Sequence, residues 1–413
     1  MKTTNASTLG RSLINTILDK MPGINEWRRR FMVDVFMLFL SIRGRVNFLQ
    51  LGRYGHYNEC TYRAGFEREF DFLSFNKHLV DVFGSGHCVL GFDPTYLSKS
   101  GKHTPGIGYF YSGCAGKHKR GLEIASIAAI DICQNTAYHL EAIQTPSARR
   151  ATLDDGQSIV DHYAATIVSR ATSLMDISKV LVVDAYFTKR NFIDPICEKT
   201  SLHLVGRLRD DANLRYLFKG KRTAQRGRPQ LYDGKIDVKH IDKRRIQLVH
   251  QDDQIRLYAS EVNSVGLKRN IMLCYVEFLT PDGQVILKKL FFSTDVKMKG
   301  DLIFNYYRAR FQMEFNFRDA KQFTGLQTSQ ARSTKKIHFH VNASLTATSI
   351  AKCMQRQGYK KDQQISYSLS DINTELFNYH LLKRIFSIYQ INPNIKINNN
   401  MMKSILNYVK IAA

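Results

Sequence analysis

The sequence predicts a mixed α/β fold, a sheet covered by helices on both faces, interrupted by a β-rich insertion and flanked by helical regions. Three observations predict it. Residues 11–85 carry helical patterns. From residue 87 the texture changes to short β-type runs, and "KVLVVDAYF" (179–187) is nearly continuous and apolar, as suits a strand buried on both faces. Residues 210–300 are β-rich again, which interrupts the alternation of strand and helix.

Taken in order, "SLINTILDKM" (12–21) and "EWRRRFMVDVFMLFLSI" (26–42) read as helices separated by the Pro22-Gly23 break. "GRVNFLQLGRYGHYNECTYRAGFER" (44–68) holds two short helical patterns around a glycine-rich turn. A helix-turn-helix presenting Tyr62, Arg63 and Arg68 fits this stretch, and so does an ordinary helical hairpin. Strand patterns follow in "HCVLGFD" (87–93), "GIGYFYSGC" (106–114), "LEIASIAAIDI" (122–132) and "AYHLEAIQT" (137–145). "GQSIVDHYAATIVSRATSLM" (156–175) has the length and pattern of a helix, "KRNFIDPICEK" (189–199) looks helical, and "LHLVGRLR" (202–209) returns to strand. Within the insertion, "IQLVHQDDQIRLYASEV" (246–262) and "NIMLCYVEFLTPDGQVILKKLFFSTD" (270–295) are strand-rich, with Pro281-Asp282-Gly283 as a hairpin turn. "YYRARFQMEFNFRDAKQF" (306–323) and "IHFHVNASLTATSIAKCM" (337–354) read as helices, and "INPNIKINNN" (391–400) as a linker. The expected divisions are a helical N-terminal region (1–85), the first part of the core (86–209), the β-rich insertion (210–300), a helix with the remainder of the core (301–358), and a helical C-terminal region (359–413).

The chain has 413 residues, of which 44% are hydrophobic, enough to bury a core and to exclude wholesale disorder. Lysine and arginine outnumber the acids 60 to 36, for a net charge of +24. An excess this large favours a polyanionic partner. A membrane is not expected: "FMVDVFMLFLSI" (31–42) is interrupted by Asp34 and is too short to span a bilayer. No basic-then-apolar leader opens the sequence, and seven scattered cysteines without a Cys-x-x-Cys pair argue against a disulfide framework or a zinc ribbon. The expected setting is cytoplasmic, reduced and DNA-associated.

Asp93 and Asp184 each close a hydrophobic strand pattern, where a carboxylate projects from the end of a sheet and ligands bind in open α/β folds. Either one alone could be a turn former or a helix N-cap. On a helix over 306–323, at roughly 100° per residue, Tyr307, Arg310, Glu314 and Lys321 fall within about 60° of arc, beside a stripe of Phe304, Phe311 and Phe315 that could face a core. Asp93, Asp184 and Glu314 brought together would repel one another unless a hard divalent cation neutralised them. Mg²⁺, with Mn²⁺ able to substitute, takes such oxygen ligands and can activate a water or a 3′-hydroxyl against a phosphodiester.

The spacing Tyr307-(2)-Arg310-(3)-Glu314-(6)-Lys321 reproduces the signature of bacterial insertion-sequence transposases of the insertion sequence 4 type. With Asp93 in "VLGFDPTYLSKSGKHTPG" and Asp184 in "VLVVDAYFTKR", the chain resembles a DDE transposase over roughly residues 40–355. The intervals are 91 positions (184 − 93) and 130 positions (314 − 184), the second wide enough for the β-rich insertion this family carries in its ribonuclease H-like core. The resemblance implies that Asp93, Asp184 and Glu314 bind the metals, and that Tyr307, Arg310 and Lys321 grip transposon-end DNA around the scissile phosphate. It further implies cleavage at terminal inverted repeats, joining of the freed 3′-hydroxyl to target DNA, and a homodimer in a synaptic complex with double-stranded DNA. Well-studied relatives stack a tryptophan of the insertion on a flipped base. Here the single tryptophan is Trp27, outside the insertion; Phe291 or Phe292 could substitute, or could be core residues of their strand. Rival readings are a nuclease on the same fold and a catalytically idle transposase-derived DNA-binding protein. An RNA-binding reading lacks support, because the chain shows no aromatic-rich motif of the known single-strand RNA modules.

Two further basic stretches fit DNA contacts. Arg226-Gly227-Arg228-Pro229 has the arrangement of an AT-hook core, which can lie in a narrow minor groove, but a solvated loop touching phosphates without sequence preference is the favoured reading. "SGCAGKHKRG" (112–121) lacks phosphate-loop spacing, so no nucleotide cofactor is expected, and Lys117 and Lys119, with His118 and Arg120, are read as DNA contacts on a hairpin. His338 and His340 have no acid or cysteine at metal-ligand spacing and are read as ordinary helix residues.

Overall fold

Asparagine starts the first four helices. In this computed structural model, which describes residues 5–147, 156–220, 228–392 and 395–411, the side chains of Asn5, Asn25, Asn47 and Asn58 accept backbone N–H groups of α1 (Ala6–Leu18), α2 (Glu26–Ser41), α3 (Phe48–Tyr54) and α4 (Glu59–Gly65). Each such cap is worth about 1 kcal/mol and places the helix start. Asp71 does the same for α5 (Phe72–Phe83). Then come β1 (Cys88–Ser98), β2 (Gly108–Ser112), β3 (Lys117–Asp131), β4 (Thr136–Gln144), α6 (Ile159–Met175), β5 (Val180–Val183), α7 (Arg190–Lys199) and β6 (His203–Arg207). The β-rich stretch comprises β7 (Leu214–Leu217), β8 (Tyr232–Lys235), β9 (Gln247–Gln251), β10 (Ile255–Ser264), β11 (Arg269–Leu279) and β12 (Val285–Ser293). Helices α8 (Gly300–Ala309), α9 (Gln312–Phe323), α10 (Thr334–Arg356), α11 (Leu369–Ile388) and α12 (Lys396–Leu406) complete the chain. The fold class is the mixed α/β one. No described helix is long and apolar enough to cross a membrane.

The chain divides into two units, one of Met1–Cys88, Pro94–Thr152 and Gln312–Ala413, the other of Val89–Asp93 and Leu153–Phe311. The first is built on α2 and α10. Helix α2 is apolar nearly all round and buried, as its sequence requires. Its two buried charges are both spoken for. The Arg28 guanidinium donates to the carbonyls of Gly65 and Arg68, both at 2.9 Å, and Asp34 accepts from the Tyr62 hydroxyl and from His56 Nδ1 at 2.5 Å. Tyr62 is therefore a buried anchor of α4 and not a residue presented to a ligand, which removes one of the three side chains a recognition helix was expected to offer.

Helix α10 is buried although much of it is polar: Asn342, Ser344, Thr346, Thr348 and Ser349 are all inside. The reason lies in β4, whose backbone needs partners beyond its pairing with β3. Asn342 accepts from the Ala142 N–H (2.8 Å) and donates to the Ala142 carbonyl (2.9 Å), Ser349 Oγ accepts from His139 N (2.9 Å), and Lys352 Nζ donates to Ala137 O (2.8 Å). The β3–β4 register shifts at Ile127/Ala128, and Asn76 Nδ2 takes the Leu140 carbonyl at 2.9 Å.

In the second unit the strand order runs β1-β5-β6-β12-β11-β10-β7-β8, with β9 also on β10. β1, β5 and β6 are parallel; from β12 onward the pairings along this order are antiparallel. β12 bonds directly to β6 through Phe291↔Arg207, Phe292↔Gly206 and Ser293↔Val205, so the β-rich stretch extends this sheet and does not form a separate one. Its hairpin turns at Pro281-Asp282-Gly283, where Gly283 takes φ of 77°, a conformation that favours glycine.

Three local expectations change. Residues 306–323 are two helices: Arg310 and Phe311 close α8 with i→i+3 hydrogen bonds to Tyr307 and Arg308, both at 3.2 Å, and α9 begins at Gln312. The phenylalanine stripe is divided accordingly, with Phe304 buried and Phe311 about half exposed at 51%. The asparagine-rich stretch expected as a linker is helical from Lys396, as part of α12.

Candidate active site at the ends of two parallel strands

β1 and β5 lie side by side in parallel register, Leu90↔Leu181, Gly91↔Val182 and Phe92↔Val183. Asp93 and Asp184 are the next residue on each strand, so the register sets two carboxylates abreast. An aromatic cluster fixes both positions. Phe92, just before Asp93, meets Phe187, three residues after Asp184, at 5.3 Å, and packs on Tyr163 at 5.2 Å; Phe187 packs on Phe192 at 4.8 Å. Each such pair adds about 0.5–1.5 kcal/mol beyond its buried area.

Asp93 does not end its strand, as its apolar pattern suggested: β1 runs on through Pro94 to Ser98, and Tyr96 donates to the Arg120 carbonyl at 2.6 Å. Asp184 does sit at an N-cap position, before a 3-10 turn at Ala185–Phe187, but its side chain makes no capping bond. Its Oδ1 instead accepts from the Tyr307 hydroxyl at 3.2 Å. Arg310 Nη1 reaches Asp93 Oδ2 at 3.2 Å, with the two side chains only 13% and 17% exposed. In this way α8 and its C-terminal cap deliver one donor to each aspartate. Burial first, then the neighbouring Asp184 charge, push the Tyr307 phenol up to about 12, so at neutral pH it is a hydrogen-bond donor and not a base.

Two neighbours of Tyr307 were not expected beside it. The Phe291 ring stands 4.7 Å from that of Tyr307, and Arg207, opposite Phe291 in the β6–β12 register, is close enough to act on the Tyr307 phenol. Both are brought in by strand pairing between residues far apart in sequence, which no local pattern signals. Phe291 and Phe292 are 4% and 0% exposed, so they are core residues and not surface platforms for a base. A cleft of about 470 Å³ beside Asp184 is lined by Ala185, Arg207, Leu208, Arg209, Asp210 and Asp211.

The remaining expected residues stand elsewhere. Glu314 is exposed in the first turn of α9, where a carboxylate complements the helix dipole. Lys321, in the last turn, donates to Thr95 Oγ1 at 2.8 Å, and burial holds its ammonium below the ordinary lysine value. Lys117 and Lys119 are exposed on β3, paired with Ser112 and Phe110 of β2, in a two-stranded hairpin. Arg228 is exposed between β7 and β8, and Arg226 lies outside the described residues. His340 is a core histidine whose Nε2–H donates to the Gly325 carbonyl at 2.9 Å. Among the described residues, no group of three or more His, Cys, Asp and Glu could hold a metal ion. The paired aspartates are nonetheless hard oxygen donors of the kind a divalent cation takes, set abreast by strand register.

Residues 74–263 match the family model described as DDE superfamily endonuclease, a span that holds Asp93 and Asp184 and ends before Glu314. No curated protein matches the chain. A solved structure described as a cryo-EM structure of the piggyBac transposase synaptic complex with hairpin DNA aligns over 98% of this chain and 83% of its own, at 11% identity and a TM-score of 0.38.

Proposed function

We propose that this protein is a DNA transposase of the insertion-sequence type, which cleaves phosphodiester bonds at the ends of its element and joins the freed 3′-hydroxyls to target DNA. One observation carries the reading: Asp93 and Asp184 stand abreast on parallel strands, each engaged by a donor from the Tyr-(2)-Arg-(3)-Glu-(6)-Lys segment. The match of residues 74–263 to an endonuclease family supports the cleavage half of it.

In this reading Asp93 and Asp184, with Glu314 as the third carboxylate, would hold Mg²⁺ or Mn²⁺, which would supply charge neutralisation at the phosphodiester and an acidified nucleophile. The protein's own groups do the positioning. The Arg310 guanidinium, fixed for all pH values of interest, presents a planar fork that matches phosphate oxygens. Tyr307 stays protonated and offers a neutral hydroxyl, its ring held in place by Phe291. Lys321 grips the transposon end near the scissile phosphate with Tyr307 and Arg310, and Lys117, Lys119, Arg226 and Arg228 contact DNA backbone farther out. Duplex transposon ends and target DNA are the partners, engaged by a homodimer.

The test is a supercoiled plasmid carrying the gene's own flanking sequences, incubated with purified protein in Mg²⁺. Breaks at the flank junctions are expected. Asp184→Asn and Glu314→Gln should each lower cutting by about 100-fold or more while DNA binding persists, since a metal contributes several kcal/mol of transition-state stabilisation. DNA binding without cutting by the unaltered protein, in Mg²⁺ and in Mn²⁺ alike, would leave only an idle DNA-binding protein.

A further inference from the structure

A second concave site lies within the helical unit, among α1, α2, α3 and α11, with a volume of about 470 Å³. Arg11, Arg53, Lys383 and Arg384 line it, and among the described residues none of these four makes an ion pair. The one carboxylate among its lining residues, Asp34, is 4% exposed and already bound by the Tyr62 hydroxyl and by His56 Nδ1. Four cations thus converge from three helices on one opening, and among the described residues no carboxylate pairs with any of them. Their effect reaches a neighbour: His380, which stacks on Tyr54 at 5.3 Å, is held below the ordinary histidine value by burial, then by Arg384 and Lys383. Like charges are gathered this way at a cost that a bound polyanion removes.

We propose that this cleft binds backbone phosphates of duplex DNA, as a contact surface separate from the aspartate pair. The proposal rests on the DNA-processing reading above for its choice of polyanion. Guanidinium groups on neighbouring helices suit phosphate oxygens, and the shortage of acids around them leaves nothing to repel a DNA strand.

The experiment measures affinity of the full chain for a duplex of unrelated sequence as a function of salt, beside the triple variant Arg53→Gln, Lys383→Gln, Arg384→Gln. Each lost phosphate contact makes the slope of log K against log salt shallower by about 0.9, so a change of about 2 to 3 is expected, with Arg384→Lys retaining the original slope. An unchanged slope in a triple variant that melts normally overturns the proposal. Should the triple variant not fold, Arg384→Gln alone, at an exposed position, is expected to shift the slope by about 0.9. Calorimetry with tripolyphosphate forms a second arm: binding that the variant abolishes, with the DNA slope unmoved, would make this a small-anion site and overturn the DNA assignment. Plasmid cutting is scored in parallel. Loss of slope in a protein that never cuts would sink the transposase reading and leave the cleft standing; intact cutting with an intact slope does the reverse.

Discussion

The Tyr307 hydroxyl illustrates how much one atom can be asked to do. It donates to Asp184 and rides on a ring that Phe291 supports. Tyr307→Phe keeps the ring and removes only the donor to a carboxylate, an interaction of about 1.5–3 kcal/mol. Cutting should therefore slow by roughly 10- to 100-fold, with DNA affinity little changed. Single-turnover cleavage measures this, and an unchanged rate would mean that the hydroxyl is a bystander. At this scale Tyr307 and Arg310 were legible because their spacing from Glu314 and Lys321 is a pattern along the chain. Phe291 and Arg207 were not, since they meet Tyr307 only through the pairing of β12 with β6.

Among the elements, α10 departs furthest from what its sequence suggests. A run such as "NASLTATS" reads as a weakly amphipathic helix, yet it is buried because its side chains take the place of a neighbouring strand for β4. Asn342→Ala would strip both the N–H and the carbonyl of Ala142 of their partners inside the core. With about 1–3 kcal/mol for each unsatisfied group, a loss of about 2–6 kcal/mol follows, read as a fall in the denaturant midpoint. A loss below about 1 kcal/mol would show that water or a shifted backbone takes over. The same scale explains the broken helix at 306–323. Periodicity sees one amphipathic pattern, and only the three-dimensional path of the chain shows α8 closing at Arg310 and Phe311 exposed.

For the molecule as a whole, stability should depend on acid in a way set by two buried histidines. His139 accepts from Ser126 Oγ through Nδ1 and donates from Nε2 to Asn342 Oδ1, both at 3.1 Å; His340 donates to Gly325. Burial lowers each to about 4. The unfolded chain, with histidines near 6.5, binds more protons than the folded one between those values, so stability is full above about pH 6.5 and falls as the pH drops toward 4. The two together contribute a slope of up to about 2.7 kcal/mol per pH unit in mid-window. Urea unfolding at several pH values measures it, and His340→Gln should remove about half of the slope; an unaltered slope would place the acid sensitivity elsewhere. The net charge of +24 adds self-repulsion that a bound polyanion would relieve.

By itself the sequence determined the alternation of helix and strand and the mixed α/β class, and it singled out Asp93, Asp184 and the Tyr307–Lys321 spacing as candidates. Each of these is written in neighbouring residues: helical and alternating apolar patterns, apolar runs that meet an acid, fixed intervals. Only the tertiary structure decided that β1 continues past Asp93, that Arg310 and Tyr307 each engage one aspartate, that Tyr62 is buried, and that four cations from three helices, without an ion pair among the described residues, share one cleft. Those facts depend on strand register and helix packing between residues tens to hundreds of positions apart. Contacts of that kind are selected by the energy of the whole core, and no short stretch of chain encodes them.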